Sequence, residues 1–287
     1  MKKLIVVSLL FTSVNMFAGE SINLLSPDKQ ESRQSVLSLK PQATAPKSVI
    51  KLNLLPIGLG DFSFQYEYAF HKNMSGALGL SFLSLPKNIK GRILDSMGIT
   101  NSKITGWAIT PEFRFYPGEK KEHEAPHGFY LAPYFRYSKY HVTGQYLVDL
   151  PATAGTGGTI VPPPFGSTTP TKSYNLDIKS TTTCYNFGLM IGYQWIIGEH
   201  FSIDWWIIGA GRGNSKLSCD FNSSELNMSA SDQAELKKQM DENVNSNSFS
   251  PFSPTVTNTT NTHGATTFVD GLPSVSLRSG LTIGFAF

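Results

Sequence analysis

The chain has 287 residues, of which 16% are charged and 12% aromatic, and its formal net charge is +3. Ordinary soluble domains carry roughly 25% charged residues. The small charge, with no stripe of Lys or Arg along any predicted element, argues against a nucleic-acid partner. Only two cysteines occur, so the chain is not a disulfide scaffold.

Residues 1–18 have the form of a signal peptide. Basic residues at the start precede an apolar run from Leu4 to Phe11, and Ala18 offers a small residue for cleavage. After this segment no run approaches the ~18 apolar residues of a spanning helix. Residues 19–48 are polar and have no sustained period, which predicts a periplasmic tail. We therefore expect an exported protein without a helical anchor.

From residue 49 to residue 287 apolar residues alternate with polar or small ones in eight separate segments. A period of two is typical of a β-strand with one apolar face. The segments are about 9–13 residues long, near the ~9–11 that cross a bilayer obliquely. In chain order they are VIKLNLLP (49–56), FSFQYEYAF (62–70), MSGALGLSF (74–82), WAITPEFRFY (107–116), GFYLAPYFRY (128–137), YNFGLMIGYQW (185–195), FSIDWWIIGAGR (201–212) and VSLRSGLTIGFAF (275–287).

The connections predict the topology. Long connections at 84–103, 141–180 and 213–274 alternate with short ones such as HKN and IGEH. Short periplasmic turns and long extracellular loops are the pattern of a membrane barrel. The sequence therefore predicts an all-β protein, an eight-stranded antiparallel up-and-down transmembrane β-barrel.

One short helix is predicted in the last long loop, within SASDQAELKKQMDENV. Ser231 can cap this helix, and the apolar residues Leu236, Met240 and Val244 recur every fourth position.

A period of two does not say which face points inward. A soluble secreted eight-stranded ligand-binding barrel would hide its apolar face, and it remains an alternative. Aromatic residues cluster near both ends of the segments, as bilayer interfaces favour. The opposite face carries small residues and charges of both signs. The last segment ends in Phe285 and Phe287, which resembles the C-terminal assembly signal of outer-membrane barrels.

Short motifs in three segments resemble a known family. They are Asn53-Leu54-Leu55 in IKLNLLPIGLGDFSFQYEYAF, Glu67-Tyr68 in the same stretch, and Pro111-Glu112-Phe113-Arg114 in WAITPEFRFYPG; GFYLAPYFRYSKY contributes as well. The family consists of small bacterial outer-membrane β-barrels known only as a domain of unknown function. The resemblance covers 49–212 and the last segment, and it implies a fold and a location but no activity.

Charged residues interrupt the small-residue face of the segments. They would point into a lumen too narrow for a water channel. Charges in such a space must pair, so we expect a mutually neutralising network; a proton or ion path is the alternative. If the first hairpin turns symmetrically about Leu59, Lys51 lies beside Glu67. The predicted network comprises Lys51, Glu67, Glu112, Arg114, Arg136, Asp204, Arg212 and Arg278.

Candidates for catalysis or metal binding are weak. His141 follows a tyrosine at a strand end without a neighbouring carboxylate, and His200 lies in a predicted turn. His123 and His127 could lie on one face of a helix, but Pro126 between them prevents a regular helix that would present both imidazoles. We therefore predict no catalytic, cofactor or metal site, although a lipid-modifying barrel enzyme remains an alternative.

The cysteines supply one further expectation. Cys184 and Cys219 both fall on the predicted exterior side and could form a disulfide at the base of the longest loop.

Taken together, the sequence predicts a monomeric, non-enzymatic integral outer-membrane protein that is not an open pore. Its role would be structural or surface-binding, since long loops on a rigid barrel are where binding residues concentrate. The expected partners are outer-membrane lipid, the barrel-assembly machinery and an unidentified extracellular ligand or surface.

Overall fold

The computed structural model of the protein describes residues 46–86, 94, 98–117, 124–151, 171–198, 200–246 and 254–287. The predicted signal peptide and nearly all of the predicted tail lie outside these residues. The described elements are β1 (Ser48–Asn53), β2 (Asp61–His71), β3 (Met74–Ser84), β4 (Ile99–Phe115), β5 (Gly128–Pro151), β6 (Thr171–Ile197), β7 (Phe201–Asn222), the helix α1 (Ala230–Ser246), β8 (Thr255–Asn261) and β9 (Gly264–Ala286).

The strands form one antiparallel sheet that closes on itself. Each strand from β1 to β6 pairs with the next in the chain, β7 pairs with β9, and β9 pairs back with β1. The all-β prediction is confirmed. The described residues form nine strands in place of the predicted eight: eight form the ring, and β8 pairs with the N-terminal part of β9. The sequence of β8, TVTNTTN, is almost entirely polar, so no alternation of apolar and polar residues identifies it as a strand.

Five of the ring strands are much longer than their sequence pattern predicts. β4, β5, β6, β7 and β9 contain 17, 24, 27, 22 and 23 residues. Much of the predicted loops 84–103, 141–180 and 213–274 is therefore strand, as pairs such as Val142 with Ser180 demonstrate. The prediction failed in these loops because their strands contain fewer apolar residues than the eight predicted segments. Most of the apolar residues that they do contain face the inside of the barrel.

The sheet reverses its polarity along its length. In the part nearest the short turns, called the lower barrel, most aromatic side chains face outward and the charged ones face inward. Beyond the ladder of Trp107, Tyr137 and Tyr185 lies the upper barrel. There Ile104 and Val142 are buried inside, and the residues that alternate with them are polar.

The first hairpin closes differently from its prediction. Lys51 pairs with Gln65, and Val49 pairs with Glu67, so the register is displaced by two residues. A 3-10 turn at Leu55–Leu59, ended by Gly60 in the left-handed region (φ 77°), moves the centre of the hairpin to residue 58. A displacement by an even number keeps every side chain on its predicted face.

The predicted helix is present, but its cap differs. Ser229 caps α1 in place of Ser231: its Oγ accepts a hydrogen bond from the backbone N–H of Asp232 at 3.2 Å. Its own N–H donates to Oδ2 of Asp232 at 3.1 Å, which completes a reciprocal capping arrangement. Asn258 on β8 donates to Oδ1 of Asp241 at 2.8 Å, so the helix is held against β8. No helix in the described part of the chain has the length and apolarity needed to cross a membrane.

Candidate functional site

The centre of the lower barrel contains a cluster of fully buried charged side chains. Lys51 comes from β1, Glu67 from β2, Glu112 and Arg114 from β4, and Asp204 from β7, and all five side chains are 0% exposed. Each alternates along its strand with residues of the outer face, so the period of two directs it inward. We call this group the lumen cluster.

Lys51 joins three acceptors. Its Nζ donates to Oε2 of Glu67, to Oδ2 of Asp204 at 2.7 Å and to Oε1 of Gln194 at 2.7 Å. An ammonium group has three protons, so these three bonds use its full donor capacity. The cation is thereby fixed between strands from opposite sides of the ring.

Arg114 extends the same network. Its Nη1 donates to Oδ2 of Asp204 at 2.7 Å and to Oε2 of Glu67 at 3.2 Å. Its Nη2 donates to Oε2 of Glu112 and to Oε1 of Gln65, both at 2.9 Å. The planar guanidinium thus bridges three carboxylates, a task for which arginine is better suited than lysine.

Aromatic side chains complete the lumen cluster. The hydroxyl of Tyr116 donates to Oε1 of Glu67 at 2.6 Å, and that of Tyr130 donates to Oδ1 of Asp204 at 2.7 Å. The indole N–H of Trp206 donates to the other oxygen of Asp204 at 3.1 Å. The Arg114 guanidinium also lies 4.4 Å from the centre of the Tyr130 ring. These rings fill space that water would otherwise occupy.

Arg278 from β9 joins the cluster from above. Its Nη1 donates to Oε1 of Glu112 at 3.0 Å. The guanidinium lies 4.9 Å from the Tyr134 ring centre and 4.8 Å from that of Trp206. Arg278 is 10% exposed, so it lies at the upper limit of the sealed region.

Glycines make room for the tyrosines. A Cβ atom at Gly192 would collide with the hydroxyl of Tyr130, and one at Gly188 would collide with the Tyr134 ring. At Gly211 a Cβ would lie 2.7 Å from the Tyr134 hydroxyl oxygen. The small residues of β6 and β7 therefore let large rings lie across a narrow lumen.

Of the eight charges predicted to face the lumen, six meet in one network and Arg136 lies above it, donating to Oγ1 of Thr110 at 3.1 Å. The prediction for Arg212 was wrong, because its side chain is exposed on the outer face. A bulge in β7 leaves both Ile207 and Ile208 exposed, which inverts the alternation beyond it.

The predicted disulfide is absent. Cys184 and Cys219 are free and buried. Cys184 pairs with Ser215 and Cys219 with Ser180, so they lie four residues apart along the ladder, about 13 Å. A disulfide requires Cα atoms within about 7 Å. Burial raises the pKa of the Cys219 thiol to about 12.

The histidines have structural partners. His127 accepts a hydrogen bond from the backbone N–H of Ile196 at 3.0 Å. Nδ1 of His141 lies 3.1 Å from Oγ1 of Thr181, and Nδ1 of His200 lies 3.2 Å from the carbonyl oxygen of Ala286. His123 lies outside the described residues, and within them no group of three His, Cys, Asp or Glu side chains is arranged to hold a metal ion.

A comparison with protein-family models places residues 34–216, more than half of the chain, in a family described as a protein of unknown function, DUF3575. The chain belongs to this family. The expected membership of a domain family of unknown function is thus confirmed. No curated protein matches the sequence. The matched range includes Lys51, Glu67, Glu112, Arg114 and Asp204, whereas Arg278 falls beyond it.

Several side chains that contact the lumen cluster of this DUF3575 barrel were not predicted to join it. The alternation places Gln65, Gln194, Tyr130 and Tyr134 on the inner face, but only charged residues were expected to form the network. Trp206 has the same parity as Asp204, and that signal could have assigned its ring to the lumen. The missed residues are Gln65, Ser75, Tyr116, Tyr130, Tyr134, Gln194 and Trp206.

The lumen cluster is electrically balanced. Three cations (Lys51, Arg114 and Arg278) meet three carboxylates (Glu67, Glu112 and Asp204). Every carboxylate is bonded to at least one cation, and the hydroxyl and indole donors satisfy remaining lone pairs. A polar network of this kind rigidifies the strands that contribute to it.

Proposed function

We propose that the protein is an integral outer-membrane β-barrel that is non-enzymatic, closed to ions and exported through its N-terminal signal peptide. Its upper barrel and loops face the cell exterior and make structural or binding contacts there. The observation that carries the proposal is the reversal of polarity between the lower and the upper barrel. This reversal is what a chain needs when one part meets lipid and the next part meets water.

An exposed apolar belt surrounds the lower barrel. Every ring strand contributes at least one large apolar side chain that is 36–67% exposed. On β6 the belt extends from Tyr185 to Ile197; at about 3.3 Å per residue and a tilt of about 40°, this stretch spans roughly 30 Å. The hydrocarbon core of a bilayer is also about 30 Å thick. One belt residue from each ring strand is Ile50, Phe64, Leu80, Phe113, Phe129, Phe187, Trp205 and Leu281.

The interior supports the same proposal. A soluble ligand-binding barrel would enclose its apolar face and expose its charges. Here the lower barrel encloses Lys51, Glu67, Arg114 and Asp204 and exposes most of its aromatic residues. Exposed apolar surface this extensive marks a membrane or protein interface. The belt encircles the ring, which favours lipid over a single protein partner.

The upper barrel provides the surface that would act outside the cell. Its strands hold polar residues outward over an apolar interior formed by Ile99, Ile104, Val142 and Ile178. The helix α1 and strand β8 add to this end. A rigid, well-packed projection is suited to present loops to a ligand or surface.

Neighbouring tryptophans on β7 allow a direct test. Trp205 is 47% exposed on the outer face, whereas Trp206 is 5% exposed in the lumen. Two single-tryptophan proteins, with the other tryptophans changed to Phe, are reconstituted into vesicles that contain brominated phospholipid. Bromine quenches only by contact, so we expect strong quenching of Trp205 and little of Trp206.

The matched pair also contains its own control. Trp206→Phe removes the indole bond to Asp204, so heat-dependent gel mobility must first establish that the variant is folded. Equal quenching of both residues would refute the membrane assignment. The assignment would also be refuted if the folded Trp205 protein remained outside the vesicles and was not quenched.

A further inference from the structure

We infer that one outer face of the barrel, just above the apolar belt, binds the phosphate groups of an anionic lipid headgroup. The inference rests on the proposed membrane location. The face is formed by β4, β5, β6 and β7. Its basic residues all point outward, and we call them the basic face: Lys103, Lys139, Lys179, Arg212 and Lys216.

The ladder registers arrange four of these cations in two rows, and Arg212 lies lower, beside Phe187 at the upper end of the belt. Lys139 pairs with Thr183, which pairs with Lys216. Four residues higher, Thr143 on β5 pairs with Lys103 on one side and Lys179 on the other. Adjacent strands lie about 4.8 Å apart, so the two cations of each row are about 10 Å apart with a threonine between them. Flexible basic side chains at this spacing can reach a shared headgroup.

The position relative to the belt indicates the kind of ligand. Trp107, Tyr137 and Tyr185 form an aromatic ladder with ring centres 5.2 Å apart at each step. Aromatic residues of this kind concentrate at the membrane–water interface. Lys139 pairs with Trp107 and lies two residues above Tyr137. Its ammonium group therefore falls at headgroup level, directly above acyl chains that would contact the belt.

Four of the five cations of the basic face form no ion pair with the described residues, although Asp220 is the cross-strand neighbour of Lys179. Lys216 forms an ion pair with Asp270 at 2.9 Å, half exposed to solvent. Among the described residues, no carboxylate lies within ion-pair distance of Lys103, Lys139, Lys179 or Arg212.

Among the strands that the structure describes, the basic face is also one-sided. At the corresponding height, β2 and β3 present Phe62 and Phe82. Cations in a juxtamembrane position attract anionic lipid additively, so this side of the barrel is where a phosphorylated headgroup would bind. A phosphate that carried no acyl chains would gain nothing from the adjacent belt.

The test uses the full chain in a zwitterionic detergent, with lipid binding measured by native mass spectrometry. The probes are bisphosphorylated lipid A, the same lipid without its phosphates, and inorganic phosphate. The variant combines Lys103→Gln, Lys139→Gln, Lys179→Gln and Arg212→Gln. The control removes four other exposed charges: Lys47→Gln, Lys72→Gln, Lys237→Gln and Lys238→Gln.

We expect the wild type and the control to retain the bisphosphorylated lipid, and the basic-face variant to bind it at least about tenfold more weakly. Equal affinity in variant and control would overturn the inference, as would equal binding of the lipid without phosphates. Displacement of the lipid by an equal concentration of inorganic phosphate would assign the face to free anions instead.

The same proteins separate this inference from the proposed function. If Trp205 is quenched by brominated lipid while phosphate-dependent binding is absent, only the inference fails. If Trp205 is not quenched in the wild type, the membrane assignment itself fails.

Discussion

Glu67 demonstrates how the lower barrel accommodates a buried carboxylate. It accepts from the Lys51 ammonium, the Arg114 guanidinium, the Tyr116 hydroxyl and the Ser75 hydroxyl. These donors come from three strands, so each charge of the lumen cluster depends on several elements of the ring. Removal of one partner leaves the others buried and under-satisfied, which is the costly case for ion pairs.

Lys51→Ala and Glu67→Ala should therefore each destabilise the barrel, by about 3–5 kcal/mol. The double variant should lose less than the sum, because neither residue then remains unpaired. Urea unfolding in detergent micelles measures both quantities. The exposed pair Lys216 and Asp270 is the control, since a solvated ion pair contributes little. Strictly additive losses for Lys51 and Glu67 would contradict their direct contact.

Individual residues also mark the limit of sequence-based prediction. A period of two assigned Lys51, Glu67, Arg114 and Asp204 to one face because the strand segments that contain them alternate without interruption. Arg212 failed because a bulge inserts one residue before it, and nothing in WWIIGAGR identifies which isoleucine is the extra one. Bulges follow from the packing of neighbouring strands, which a linear pattern does not contain.

At the scale of single strands, the glycines of β6 and the tyrosines of β5 fit together. Gly192 pairs with Tyr130 and Gly188 with Tyr134, so each ring lies over a neighbouring residue that has no side chain. Gly192→Ala would push the Tyr130 hydroxyl away from Asp204. We expect overpacking to cost about 1–3 kcal/mol.

The matched control for that substitution is Gly58→Ala, where a Cβ would meet nothing within 4 Å. Both variants are compared by urea unfolding and by heat-dependent mobility. A Gly192 variant as stable as the Gly58 variant would mean that Tyr130 does not occupy the space described.

The strands themselves were predicted well only where they carry the apolar belt. There the contrast between Phe or Tyr and a small or charged residue is large. In the upper barrel the outward residues are Thr, Ser, Lys and Asp, and the inward ones alternate among Ile, Val, Cys and Ser. The resulting pattern resembles that of a polar loop, so β5 and β6 were predicted to end too early.

At the scale of the whole molecule, two seals lie in series along the barrel axis. The lumen cluster lies in the lower barrel, and the apolar cluster of Ile104, Val142, Ile178 and Cys219 lies in the upper barrel. We expect the first to exclude ions by packing and by satisfying its own charges. We expect the second to exclude them because an apolar constriction does not hydrate an ion.

The two seals lead to a prediction about conductance. Purified monomer should give no steady conductance in planar bilayers in which an added porin conducts. Glu67→Ala, which loosens the lumen cluster, and Ile104→Ser, which weakens the apolar cluster, should each remain closed, because the other seal persists in each variant. Only the combination should produce intermittent currents. Stable, reproducible channels from folded wild-type monomer would show that the lumen is not filled. Open channels from either single variant would show that one seal alone keeps the barrel closed.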